Sequence, residues 1–107
     1  MIQKEFRLTQ SNVKTIEKVI LDQHVNYLHM IFPRDDGLPI HMSNANLYMT
    51  VLRGTLSIGL NDQPIFEYAA GDVINIPCNT QMNVQNSHDA VLELIVFKAP
   101  APGTSCV

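Results

Sequence analysis

The chain has no tryptophan, only five glycines and only two cysteines in 107 residues. Two cysteines make a weak disulfide signal, so a disulfide-stapled scaffold is excluded as the organising principle. Cys78 and Cys106 could pair, but in a reducing compartment both are expected as free thiols. Charge is also scarce. Seven basic residues are scattered without a run, and the net charge is −3. No continuous positive surface is available to a phosphate backbone or an acidic membrane, which argues against a nucleic-acid or membrane partner. No apolar run approaches the ~20 residues of a membrane helix. The opening "MIQKEFRLTQ" lacks the basic-then-apolar order of a signal peptide, so the expected location is the cytoplasm. A catalytic signature is missing too: there is no phosphate-cradling glycine loop, nucleophile elbow, paired-cysteine metal motif or paired carboxylates.

What is present is a set of short β-rich segments. Hydrophobic residues make up 46% of the chain, enough for a packed core. "TIEKVILD" (15–22) is rich in β-branched residues and precedes the strand-like "VNYLHMIF" (25–32), with 22–24 as their turn. A helix over "SNVKTIEKVI" (11–20) is the alternative. "PRDDG" (33–37) breaks the chain. Further strands are expected in "NLYMTVLR" (46–53), "TLSIGL" (55–60), "IFEYA" (65–69), "DVINIP" (72–77), "QMNVQN" (81–86) and "AVLELIVF" (90–97). About eight to ten closely spaced short strands indicate an all-β antiparallel sandwich or barrel. The whole chain, 1–107, reads as one domain with its core at about 15–97 and a flexible C-terminal tail at about 99–107.

Two stretches, "HMSNANLYMTVLRG" and "GDVINIPCNTQMNVQN", resemble the two motifs of the cupins. These are small double-stranded β-helix, or jelly-roll, barrels. In the first motif Gly54 takes the closing glycine and His41 the first histidine. Ser43 stands at the second histidine position and Leu47 at the glutamate. The opening glycine falls on Asp35. In the second motif Gly71, Pro77 and Asn86 match, Asn79 replaces a glycine, and Met82 replaces the metal-binding histidine. The resemblance covers about Thr15 to Phe97. It implies a barrel whose inward side chains form the site, and dimerisation by sheet packing or by exchange of N-terminal strands, for which "IQKEFRL" (2–8) is the candidate. Homodimers are the commonest soluble assembly.

The family's metal ligands are mostly replaced. Of four ligand positions only His41 keeps its residue, and neither leucine nor a neutral serine makes a useful ligand. No cofactor is therefore expected. Iron, zinc, manganese, nickel or copper would enter only if substitute ligands converge. The candidates are His41, His29 and Met82, a histidine–histidine–methionine set that would suit Cu(I) if the face of Val25, Tyr27, His29 and Ile31 points inward. Glu93 could orient a histidine if its face is the inner one. Otherwise His29 is a satisfied histidine in the barrel or at a subunit contact. His24 and His88 are expected in solvated turns.

Alternation places Leu47, Met49, Val51 and Arg53 on one face, and Met82, Val84 and Asn86 on another. The candidate cavity is thus His41, Met49, Arg53, Met82 and Asn86. Arg53 would hold a ligand carboxylate or is a solvated arginine in a turn, and the methionines would supply a soft lining or are simply core. Three functions stay open: a small-molecule-binding barrel without the conventional metal centre, a metal-dependent dioxygenase or isomerase with substitute ligands, and a structural or regulatory homodimer with a filled barrel.

Overall fold

The computed structural model describes residues 1–103 and 106. Nine strands follow one another: β1 (Thr15–Leu21), β2 (Asn26–Pro33), β3 (His41–Met42), β4 (Leu47–Arg53), β5 (Thr55–Leu60), β6 (Phe66–Ala69), β7 (Val73–Ile76), β8 (Gln81–Gln85) and β9 (Val91–Lys98). Eight coincide with the segments expected from the sequence. The two-residue β3 is the addition, and residues 15–20 are strand, not helix.

The strands form two antiparallel sheets, ordered β1-β2-β9-β4-β7 and β3-β8-β5-β6. Their inner faces meet in one core. Met30, Phe32, Leu47, Met49, Val51, Leu92, Leu94 and Val96 come from the larger sheet. Leu56, Ile58, Met82 and Val84 come from the smaller. Each such side chain contributes roughly 1.5–3 kcal/mol relative to exposure. Period-two alternation is plain in β4, where Leu47, Met49 and Val51 are buried and Tyr48 and Leu52 exposed.

The turns explain the motif residues. Gly54 has φ +81°, and a Cβ there would collide with the Val91 carbonyl oxygen. A side chain is excluded by both backbone conformation and space. Asn79 and Asp35, which stand where the motifs have glycine, adopt φ 63° and 67°. Asn and Asp tolerate this left-handed region better than other side chains do. Asp22 accepts hydrogen bonds from the backbone N–H groups of His24 (2.8 Å) and Val25 (2.9 Å), which fixes the β1–β2 turn. Residues 2–8, the proposed exchange strand, form no strand within the chain and are largely exposed.

Candidate functional site

Three of the five expected cavity residues come together. His41, Met49 and Met82 line a cavity of about 100 Å³ at one end of the barrel. His41 and Met82 are register partners across β3 and β8. Met30, Leu38, Met42 and Ser43 also face this cavity. The Nδ1 of the exposed His41 donates to the Pro39 carbonyl at 2.8 Å. That bond selects the tautomer with Nε2 carrying the lone pair, free to accept a proton or bind a ligand.

Arg53 is elsewhere. The β4–β9 register shifts between Val51 and Arg53. This bulge inserts one residue and moves Arg53 from the face of Val51 to the outer face. There Arg53 Nε donates to Glu93 (2.6 Å), and its terminal nitrogens donate to Asn12 Oδ1 and the Ser11 carbonyl, both at 2.8 Å. Asn86 is fully buried but bound up in structure. Its Nδ2 donates to the carbonyls of Phe32 and Asp89, both at 3.0 Å, and its Oδ1 accepts from Asp89 N–H at 3.2 Å. It ties loops together and does not line the cavity.

His29 corrects the substitute-ligand expectation. The inward residues of β2 are Met30 and Phe32, so His29 faces out, across the sheet from His41 and Met82. Both faces of β2 are largely apolar, so alternation alone left its inward face open. His29 is fully buried and sits between two carboxylates, 2.6 Å from Glu17 and 2.5 Å from Glu93. Glu93 therefore also faces outward. Burial pushes its carboxyl up, but the hydrogen bonds from His29 and Arg53 outweigh this and leave it below the ordinary range. Glu17 is lowered by the Thr9 backbone N–H, then by the Thr9 hydroxyl and His29. The Glu17–His29–Glu93–Arg53 chain clasps residues 9–12 to the sheet. His24 and His88 are exposed, as expected, and His88 is paired with Glu67.

Lys98 is the cavity residue that sequence reasoning missed. It continues the inward alternation Leu92, Leu94, Val96, and lines the cavity mouth with Nζ donating to Asn44 Oδ1 at 2.7 Å. Burial, and then the like charge of Lys18, hold its amine below the ordinary lysine value. The available signal was a lysine ending an apolar inward row.

The ligand positions of the metal motif offer little. Ser43 Oγ donates to the Pro77 carbonyl (2.7 Å) and accepts from Thr80 N–H (2.9 Å). Leu47 presents hydrocarbon and Met82 a thioether. Among the described residues no group of three or more His, Cys, Asp or Glu side chains is arranged to hold a metal ion. Of the two readings of the cysteines, pairing and free thiols in a reducing compartment, the structure has the paired one. Cys78 and Cys106, with Cα atoms 5.7 Å apart, form a disulfide, which places Cys106 beside Asn44 and Ala45. Sequence separation hid the pairing because tertiary closure creates it. Ala101 N–H also donates to the His24 carbonyl at 2.8 Å, so the tail is held at both points.

No protein-family profile matches the chain. An uncharacterized protein of Methanocaldococcus jannaschii is 32% identical over 103 residues, spanning 95% of this chain and 89% of that protein. A crystal structure from the same organism, described as an RmlC-like cupin family protein with a double-stranded β-helix fold, superposes with a TM-score of 0.91. Identity is 32%, over 94% of this chain and 93% of that one. A cupin superfamily protein from Desulfitobacterium hafniense superposes with a TM-score of 0.73 at 12% identity, over 87% and 83% of the two chains. At that identity the likeness concerns the fold alone.

Proposed function

The chain belongs to the cupin family, and from that premise we propose that it is a small-molecule-binding barrel without the family's conventional metal centre. One observation carries the reading: an apolar cavity of about 100 Å³ with His41 at its rim. Most of the barrel is filled by its own side chains, but this end is not. The volume is below the ~300 Å³ of ordinary ligand pockets, so it suits a compact ligand body of a few heavy atoms. Met49 and Met82 supply an adaptable apolar wall, and His41 Nε2 supplies a polar contact. Fold alone does not choose a chemistry, and none of the motif positions except His41 retains a strong metal donor.

A second reading rests on the methionines. Four of the five, Met30, Met42, Met49 and Met82, line the same cavity as His41. Thioethers with one imidazole are soft donors that suit Cu(I) and not the harder divalent ions. Elemental mass spectrometry of gently purified protein, without chelator or added metal, separates the two. A metal-free protein supports the ligand-binding reading, and near-stoichiometric copper supports the second. Stoichiometric iron, manganese, nickel or zinc overturns both and favours a metal-dependent enzyme.

The assembly is part of this proposal. The outer face of the larger sheet carries Tyr27, Tyr48, Leu52, Ile95 and Phe97 around a shallow apolar depression, with Tyr48 and Leu52 exposed. An apolar sheet face of this kind suits a homodimer packed sheet against sheet.

A further inference from the structure

The cavity mouth is more positive than the chain as a whole. Net charge is −3, yet Lys98 stands at this mouth with a neutral partner, the Asn44 side-chain oxygen at 2.7 Å. Among the described residues Lys98 makes no ion pair, and the charged group that acts on it is another cation, Lys18. Lys98 pairs with Asn26 and Leu47, and the neighbouring row, Lys18–Leu28–Val96–Met49, crosses the inner face from the exposed Lys18 to the cavity wall. A half-buried ammonium without an anion is poorly compensated. Its depressed affinity for a proton, caused by burial and then by Lys18, reflects that cost. Beneath it the wall is apolar: Leu28, Met30, Leu47, Met49, Met82 and Val96. Beside it is His41, whose Nε2 is left free by the Nδ1 bond to Pro39.

We infer that the cavity takes a small carboxylate with a compact aliphatic body, its head held by Lys98 at the mouth and its body against Met49 and Met82. The inference rests on the ligand-binding reading and names its ligand class. An ammonium–carboxylate hydrogen bond in a partly desolvated site is stronger than a neutral one, and the bound anion would restore Lys98 toward the ordinary lysine value. His41 would add a hydrogen bond when protonated. The cavity volume limits the body to roughly four or five heavy atoms, given that a 150 Å³ apolar cavity holds a benzene.

Calorimetric titration with isovalerate and with isovaleramide tests this, because the two share a shape and differ in charge. The full-length protein binds isovalerate at least roughly tenfold more tightly than the amide. Lys98→Gln removes that preference, bringing the acid and amide affinities together, and Lys98→Arg retains it. If Lys98→Gln fails to fold, the isovalerate–isovaleramide ratio in the unmodified protein and in Lys98→Arg decides. Equal binding of acid and amide overturns the carboxylate assignment and leaves the ligand-binding reading standing. Binding of neither overturns the assignment and counts against that reading for ligands of this size.

Discussion

His29 and Glu93 meet at 2.5 Å on the outer face of the larger sheet, across the barrel wall from the cavity that holds His41 and Met82. Glu93 also accepts from Arg53 at 2.6 Å, and so joins a fully buried imidazole to a half-exposed guanidinium. Glu93→Ala removes the shared acceptor and leaves the buried His29 with Glu17 alone. Breaking such a pair from one side is expensive, though the exposure of Arg53 moderates it. The expected loss is about 2–4 kcal/mol, read from urea unfolding. Cavity binding remains, since no member of the network reaches the cavity.

The same network sets an acid limit. Glu17 and Glu93 both titrate below the ordinary glutamate range in the folded chain. A depressed carboxylate contributes stability that is fully present above its unfolded value, about 4.3. That contribution is lost as pH falls through the folded value. Urea midpoints are expected to hold level from neutrality to about pH 5 and to fall steeply below about pH 4. In Glu93→Gln the acid-induced fall is shallower.

Much of the fold was legible in the residues, and the failures are instructive. Alternation in β4 and β8 located the inward Met49 and Met82, and the glycine and proline intervals pointed to the barrel. Arg53 was misplaced because a bulge adds one residue, and a period-two count cannot see it. The face of His29 stayed open because β2 is largely apolar on both faces. Lys98 was overlooked as a strand end, although the row Leu92, Leu94, Val96 points inward to it. None of these depends on composition; each is a matter of register or of which face turns in.

The Cys78–Cys106 bond closes a loop with a sequence separation of 28 residues. Reduction is expected to lower stability by about 3.5 kcal/mol, on the chain-entropy account. Thiol counting on protein unfolded without reductant is expected to find no free cysteine. A cytoplasmic setting would generally oppose such a bond, so the same count on freshly lysed cells, with thiols trapped at once, also tests where the chain resides.

Homodimerisation through the outer face predicts that a charge at its centre disperses the assembly. Leu52→Glu places a carboxylate on the face shared by Tyr48, Ile95 and Phe97. Sedimentation velocity is expected to show two chains for the unmodified protein and one for the variant, with the urea midpoint of the monomeric fold little changed.

The most direct test of a ligand-binding cavity is the methyl spectrum of ¹³C-methionine-labelled protein during titration with small aliphatic acids. Met49 and Met82 are buried at the cavity, and Met1 is exposed far from the core, which makes it the internal control. The account predicts saturable shifts of the Met49 and Met82 methyl groups with Met1 unmoved, and their loss when Met82→Phe fills the space. Cavity methyl groups that stay fixed throughout the series, or that move only together with Met1, would contradict it.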